Sequence, residues 1–489
     1  MIIKKSPDEI ENYISDASNF RGACDAVFIP ESAEEIPGIL KEAYKTKTPV
    51  TISGNGTGLS GGRVPLGGIL ISTEKLNRII EINEVEKYAV VEPGVILDTL
   101  QKEVNAKNLL YPPDPTEWNC FIGGNIATNA SGEKTFKYGP TRNFVEELQI
   151  VLVDGETIRL KRGMQRAAGH ELELITDSGK RIMIKIPPLK MPLVKNAAGY
   201  FLKEDMDAID LFIGSEGTLG IVTRIKLRLV DLPDNILSSV VFFNSEEKAI
   251  SFIEEARDLS YKTRIGHTDS VDALALEFMD ENCLNFLLSD YPQIPEGVRS
   301  SVWFEQETTK QNDEKLFNEW ADLIVRHQGN PETAWFAFSA SDKKKLEEFR
   351  HSVSVKANDF IAKKNVKKLG TDVAVPDSVF NNFYKECKTM VENSGLKFIA
   401  YGHFGNSHLH LNMLPSNEEE YTTGKILYRQ ICEMAVRLNG TISAEHGVGK
   451  LKTEYLKMMY GEDNIRKMVE IKRTLDPYMQ LGRGTIFQL

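Results

Sequence analysis

Gly54-Asn55-Gly56-Thr57-Gly58-Leu59-Ser60-Gly61-Gly62 places five glycines in nine residues, directly after the strand-like run Pro49-Val50-Thr51-Ile52. Glycine lacks a Cβ and accepts positive φ, so such a loop lets backbone N–H groups crowd around an anion. Thr57 and Ser60 add hydroxyl donors. A pyrophosphate is the natural guest, though it need not belong to a Rossmann-type nucleotide. Taken alone, the loop could equally be a set of tight turns.

Outward from this loop, residues from about Asp25 to Val230 alternate short β-like runs with glycine turns. Examples are Ala26-Val27-Phe28-Ile29, Gly68-Ile69-Leu70-Ile71-Ser72, Ala89-Val90-Val91-Glu92 and Leu148-Gln149-Ile150-Val151-Leu152-Val153. Amphipathic helical stretches interrupt them at Ala33 to Lys45 and Ile96 to Asn105, an α+β pattern. Pro233 marks a boundary. Beyond it, helical patterns (Glu246 to Asp258, Asn312 to His327, Ser341 to Lys364, Asp377 to Asn393) alternate with strands such as Ser301 to Glu305 and Lys397 to Ala400. The expected division is 1–230, 231–438 and 439–489, the last part mostly helical.

A chain of 489 residues with 41% hydrophobic and 26% charged residues is a globular protein of two or three domains. Its net charge of −11 argues against a nucleic-acid partner, because no basic stripe could displace counterions from a phosphate backbone. The five cysteines are scattered without a Cys-x-x-Cys, so neither an iron–sulfur cluster nor a cysteine zinc site is expected. Without a signal-peptide core or a membrane-length apolar run, the expected location is cytoplasmic. Peripheral attachment at the inner face of the membrane and a homodimer are left open.

Four of the eight histidines lie between His403 and His446. In Gly402-His403-Phe404-Gly405-Asn406-Ser407-His408-Leu409-His410-Leu411-Asn412, alternation puts His408, His410 and Asn412 on one strand face and the leucines on the other. Gly405-Asn406 supplies a turn that could return His403 to the same place. Glu445-His446 follows in Ser443-Ala444-Glu445-His446-Gly447. Two imidazoles and a carboxylate are the usual ligands of an open divalent-metal site, which leaves a histidine free for acid–base work. A lone histidine is more often a hydrogen-bonded core or surface group; four beside a Glu-His pair point to a functional site.

Two further glycine-rich stretches carry the resemblance. One runs through Pro112-Pro113-Asp114-Pro115, Ile122-Gly123-Gly124-Asn125-Ile126-Ala127-Thr128-Asn129-Ala130-Ser131-Gly132 and Lys137-Tyr138-Gly139-Pro140. The other joins Lys195-Asn196-Ala197-Ala198-Gly199-Tyr200 to Gly214-Ser215-Glu216-Gly217-Thr218-Leu219-Gly220-Ile221-Val222. In this order they resemble the FAD-binding (PCMH-type) half of the vanillyl-alcohol-oxidase-type flavoproteins. The histidine segment resembles the C-terminal half of the D-lactate, glycolate and D-2-hydroxyglutarate dehydrogenase branch. The resemblance covers nearly the whole chain. It implies a PCMH-type FAD-binding domain, an α+β substrate (cap) domain with an antiparallel sheet, and a helical C-terminal segment packing back near the flavin.

By that resemblance Gly54, Asn55, Gly56, Thr57, Gly58 and Ser60 hold the FAD pyrophosphate. Gly123, Gly124, Ala127, Thr128 and Ser131 line the flavin, and Glu216, Gly220 and Val222 close over the adenine side. His403, His410 and Glu445 fall on the family's metal ligands, with zinc as the first expectation and manganese or iron as alternatives. His446 falls on the catalytic histidine, Asn412 on a substrate-contacting asparagine, and Arg350 on the arginine pairing with a substrate carboxylate. The implied reaction is oxidation of a 2-hydroxy acid to the 2-keto acid, with electrons passed to a quinone, a cytochrome or an electron-transferring flavoprotein.

The chain also departs from the family pattern. It has Gly405-Asn406-Ser407-His408-Leu409-His410 where relatives have Gly-Asp-Gly-Asn-Leu-His, so His408 is open as a fourth ligand, a substrate donor or a surface group. A lysine that contacts a second substrate carboxylate in some relatives aligns with Gly370, which favours D-lactate or glycolate over D-2-hydroxyglutarate. Two rivals remain: a flavin-free metal hydrolase, set against by the glycine-rich stretches, and a non-catalytic FAD-binding subunit of a larger complex, expected to have lost the metal histidines.

Overall fold

The computed structural model describes residues 1–364 and 366–488. The first part of the chain builds two sheets around the glycine loop. In one, the strands Ala26–Ile29 and Val50–Ser53 both pair in parallel with Ile69–Ser72, and Ile2–Lys4 adds antiparallel at the edge. The helix Ile36–Thr46 covers this sheet because Ile36, Ile39, Leu40 and Ala43 recur at helical spacing and are buried. Pro37 sits in its first turn, where no N–H partner is lost, and Lys47 closes it in the left-handed region.

The second sheet is antiparallel, in the order Ile79–Asn83, Tyr88–Val91, Ile221–Arg228, Val145–Val151, Thr157–Lys161. Its central strand Ile221–Arg228 alternates buried and exposed positions, as a sheet packed on one face requires. The glycine loop runs out of Val50–Ser53. Gly56, Gly58 and Gly61 have dinucleotide-fold spacing, but turns then lead into the strand Ile69–Ser72 instead of a helix. No βαβ Rossmann unit forms there.

Beyond Pro233 lies one antiparallel sheet, in the order Trp335–Ala337, Asn235–Phe243, Ser300–Thr308, Ala273–Asp280, Phe398–Gly402, His408–Met413, Leu369–Gly370, with Val373–Ala374 also paired to His408–Met413. Helices Glu246–Gly266, Asp313–Arg326, Ala340–Ala362 and Asp377–Ser394 pack around it. The chain then returns to the first half: Leu481 bridges to Val50, and Gln480 donates to the carbonyls of Ala43 and Thr48. That return carries Glu445-His446 to the glycine-rich loops. Among the described residues, no helix is long and apolar enough to cross a membrane.

Candidate active site

The glycine loop, the 120–132 segment and the 212–222 segment wall one open cleft of about 270 Å³, which Glu445 and His446 also line. Every residue assigned above to the pyrophosphate, the flavin or the adenine side lines it. Gly56 has φ of +80°, and a Cβ there would come within 2.6 Å of the Arg63 guanidinium. Arg63 in turn donates to Gly54 O at 2.9 Å and Ser15 O at 2.9 Å, tying the amino-terminal segment to the loop. A Cβ on Gly124 would meet nothing within 4 Å. Asn125 Nδ2 and Asp16 Oδ2, from residues of the cleft wall, are buried without a partner. A glycine cradle with an unpaired donor and an unpaired acceptor fits a polar cofactor such as FAD. Glu216 lines the cleft too, but its carboxylate accepts from Val448 N at 2.7 Å and Gly449 N at 2.8 Å.

The histidine strand behaves as its alternation requires. Leu409, Leu411 and Met413 enter the main core, while His408, His410 and Asn412 share the other, also buried, face. Phe404–Asn406 forms a single 3₁₀ turn, Ser407 adopts φ of +51°, and His403 is brought back beside them. His403 Nε2 lies 3.4 Å from Glu445 Oε2, and His410 Nε2 lies 3.2 Å from Glu445 Oε1. The outer nitrogens are taken: His403 Nδ1 by Glu277 at 2.6 Å and His410 Nδ1 by the Thr371 carbonyl at 3.2 Å. Each Nε2 lone pair therefore faces Glu445, the orientation outer carboxylates and carbonyls impose at metal sites. His403, His408, His410 and Glu445 could hold a cation, their ligand atoms lying within 4.8 Å of one another. His408 is the poorest candidate of the four. Its Nε2 meets Asp372 at 3.0 Å and its Nδ1 meets Lys195 at 3.4 Å.

Three acidic residues and one lysine at this site escaped the sequence reading. Asp372, fully buried, accepts from Ser443 Oγ at 2.7 Å, Lys452 Nζ at 2.8 Å and His446 N at 3.0 Å, and faces His446 Nδ1 at 3.3 Å. Burial works against its charge, yet His446, Lys452 and His408 hold it well below the usual carboxylate range. Burial drives His446 down to about 4 against the opposing pull of Asp372. Glu445 also stays ionised against burial, chiefly through Lys195 at 2.6 Å and His403. Arg350, 6% exposed, spends two donors on protein carboxylates: Nε faces Glu133 at 3.1 Å and Nη2 faces Glu277 at 2.7 Å. One signal was legible. Glu277 interrupts the apolar run Ala273-Leu274-Ala275-Leu276-Glu277-Phe278-Met279, and a carboxylate inside such a strand demands a partner. Asp372, Glu133 and Lys195 stand in loops that give no such sign.

Residues 24–161 match the family model of an FAD binding domain, and residues 233–486 match that of the C-terminal domain of FAD linked oxidases. The chain belongs to the FAD-linked oxidase family. Among the relatives of this family member, the glycolate oxidase subunit GlcD of Bacillus subtilis is 30% identical, over 97% of this chain and 92% of that protein. A D-lactate dehydrogenase of Anaerostipes hadrus is 28% identical over 93% and 88%, and a D-2-hydroxyglutarate dehydrogenase of Stutzerimonas stutzeri is 28% identical over 98% and 95%. A solved alkyldihydroxyacetonephosphate synthase superposes with a TM-score of 0.70 at 16% identity, covering 98% of this chain and 81% of that one. The fold of this FAD-linked oxidoreductase is thus the α+β fold expected above, with an FAD-binding half and a second half built on an antiparallel sheet.

Proposed function

We propose that this FAD-linked oxidase oxidises a small D-2-hydroxy acid, D-lactate or glycolate, to the 2-keto acid and passes the electrons to an acceptor other than NAD. The observation that carries the reading is that Glu445 and His446, joined to His403 and His410, line the same cleft as the glycine-rich loops. Hydride acceptor and acid–base groups would then share one space. FAD there would take up the hydride, and a divalent cation on His403, His410 and Glu445 would acidify the substrate hydroxyl.

The chain's own residues do the rest. His446 is neutral at physiological pH, with Nδ1 turned to Asp372, so its Nε2 is free to accept the hydroxyl proton. Asp372 fixes that ring and stabilises its charge once the proton has arrived. Asn412 would orient the substrate from the same strand face as His410, and the remaining donors of Arg350 would meet the carboxylate. The division into 1–230, 231–438 and 439–489 is proposed with it, since the sheets change at Pro233 and the last part returns to the cleft.

A monocarboxylate is favoured by Gly370. A Cβ there would lie 2.5 Å from Asn412 Oδ1, and glycine itself offers no side chain that could reach a second carboxylate. The purified protein should carry FAD. It should reduce an artificial acceptor dye with D-lactate or glycolate faster than with the L-isomer of lactate or with D-2-hydroxyglutarate. Exhaustive chelation should abolish this activity and leave the flavin spectrum intact. Activity surviving with no metal detected would remove the metal from the scheme. A preference for D-2-hydroxyglutarate would overturn the substrate assignment, and an isolated chain that holds FAD but reduces no dye would favour a subunit of a larger dehydrogenase.

A further inference from the structure

A confined charged group near the cleft that the scheme above does not use is Lys195. Its side chain is 4% exposed, and its Nζ lies 2.6 Å from Glu445 Oε2 and 3.4 Å from His408 Nδ1. Ser131 Oγ donates to the same Oε2 at 3.2 Å. Lys195 Nζ is thus held between the Glu445 carboxylate and the His408 ring, both of them buried or nearly so. Its placement is rigid. Ala197 N donates to Ser443 O at 2.9 Å, and Thr441 Oγ1 donates to Asn196 Oδ1 at 2.6 Å, stapling the lysine loop to the segment that presents Glu445.

The two oxygens of Glu445 therefore have different surroundings. Oε2 is held by an ammonium and a hydroxyl of the FAD-binding half and faces His403 Nε2 at 3.4 Å, while Oε1 faces His410 Nε2 at 3.2 Å and His446 Nε2 at 3.6 Å. We propose that Lys195 is a positioning residue that fixes the Glu445 carboxylate through Oε2 and, by its charge, weakens the site's hold on the cation. The inference rests on the metal-assisted reading above. A carboxylate freed from Lys195 would donate more charge to a bound cation, which would then acidify the substrate hydroxyl less. His408 then has a defined part as well: a neutral imidazole donating from Nε2 to Asp372 and accepting Lys195 at Nδ1, a strut rather than a fourth ligand.

The test uses the full-length, FAD-loaded protein, with Zn(II) titrated against a chromophoric chelator and dye-reduction kinetics run on the same preparations. Removing a cation a few ångströms from a divalent ion in a partly desolvated site should matter by at least about tenfold in binding. Lys195→Met is expected to bind Zn(II) at least about tenfold more tightly than wild type while kcat falls by about the same factor. Lys195→Arg should keep Zn(II) affinity within about threefold of wild type. Weaker or unchanged Zn(II) affinity in Lys195→Met, with FAD content and thermal midpoint retained, overturns the proposal and leaves the metal-assisted reading standing. If that variant fails to fold, Ser131→Ala, which releases the other hold on Oε2, should also tighten Zn(II), and an unchanged affinity overturns the idea. A wild type that takes up no Zn(II) overturns both together.

Discussion

Glu133 and Glu277 flank the guanidinium of Arg350, so this residue neutralises two buried carboxylates before any substrate arrives. Arg350→Ala should raise KM, since a carboxylate held equally in ground and transition states responds that way. It should also cost about 3–5 kcal/mol of stability, because it leaves buried charge unpaired. A raised KM with an unmoved denaturation midpoint would show that the two glutamates find other partners. His446→Gln separates cleanly from this. It should keep FAD and metal while turnover falls by ~10²–10⁴-fold. Because burial holds His446 down at about 4, turnover should not decline on acidification from pH 8 to pH 5. An acid limb near the ordinary histidine value that persists at saturating metal, where protonation of His403 is outcompeted, would remove His446 as the base. At this scale the residue types were legible from their clustering, whereas their partners were not. Asp372, which contacts His408, His446 and Lys452 together, stands in the sequence as one aspartate between Thr371 and Val373.

The strand His408–Met413 shows what an element adds. Its alternation alone separates the apolar face from the polar one, and the core contacts of Leu409, Leu411 and Met413 follow that pattern. What pattern cannot supply is the neighbour. Leu369–Gly370 pairs with this strand in the register Gly370 to Asn412, which puts a residue without a side chain against the asparagine. Gly370→Ala should displace Asn412 and raise KM about tenfold with kcat little changed, the signature of lost uniform binding. Unaltered kinetics would take Asn412 out of the substrate contacts. The helix Ile36–Thr46 was readable from its four buried positions. The helix Glu246–Gly266 extends well past the expected Asp258, since Ser260 and Thr263 are buried by packing on the sheet and not by an apolar period.

Across the whole molecule, buried carboxyl groups of opposite tendency set the pH dependence of stability. Burial raises Asp280 to about 6 and Glu216 and Glu305 to about 7. These groups hold protons that the unfolded chain releases near pH 4, so their contribution is present below that pH and is lost as pH rises through about 6–7. Asp372, Glu133 and Glu277 are lowered instead, their cationic neighbours outweighing burial. Their contribution is present above the unfolded value and is lost as pH falls. A tenfold change in a group's proton affinity is worth about 1.4 kcal/mol, so stability should be highest at about pH 4–5, decline as pH rises to about 7 and level off above it. Urea midpoints measured from about pH 4 to pH 8 check it, and Glu216→Gln with Glu305→Gln should flatten the decline below about pH 7. A midpoint still climbing at pH 8 contradicts the assignment.

Sequence alone determined the elements whose signal is local. Glycine loops declare a close-approach surface because only glycine tolerates it, and alternation declares a strand with a polar face because side chains point to opposite sides. The order of those motifs was enough to mark the family. Tertiary structure decided everything that depends on residues far apart in the chain meeting in space. Lys195 and Ser131 reach Glu445 across 250 and 314 positions, and Glu216 ties down Val448 and Gly449 across 232 and 233. Such contacts leave no periodic mark. Their free energy comes from pairing charges that burial would otherwise forbid, and burial is a property of the folded whole.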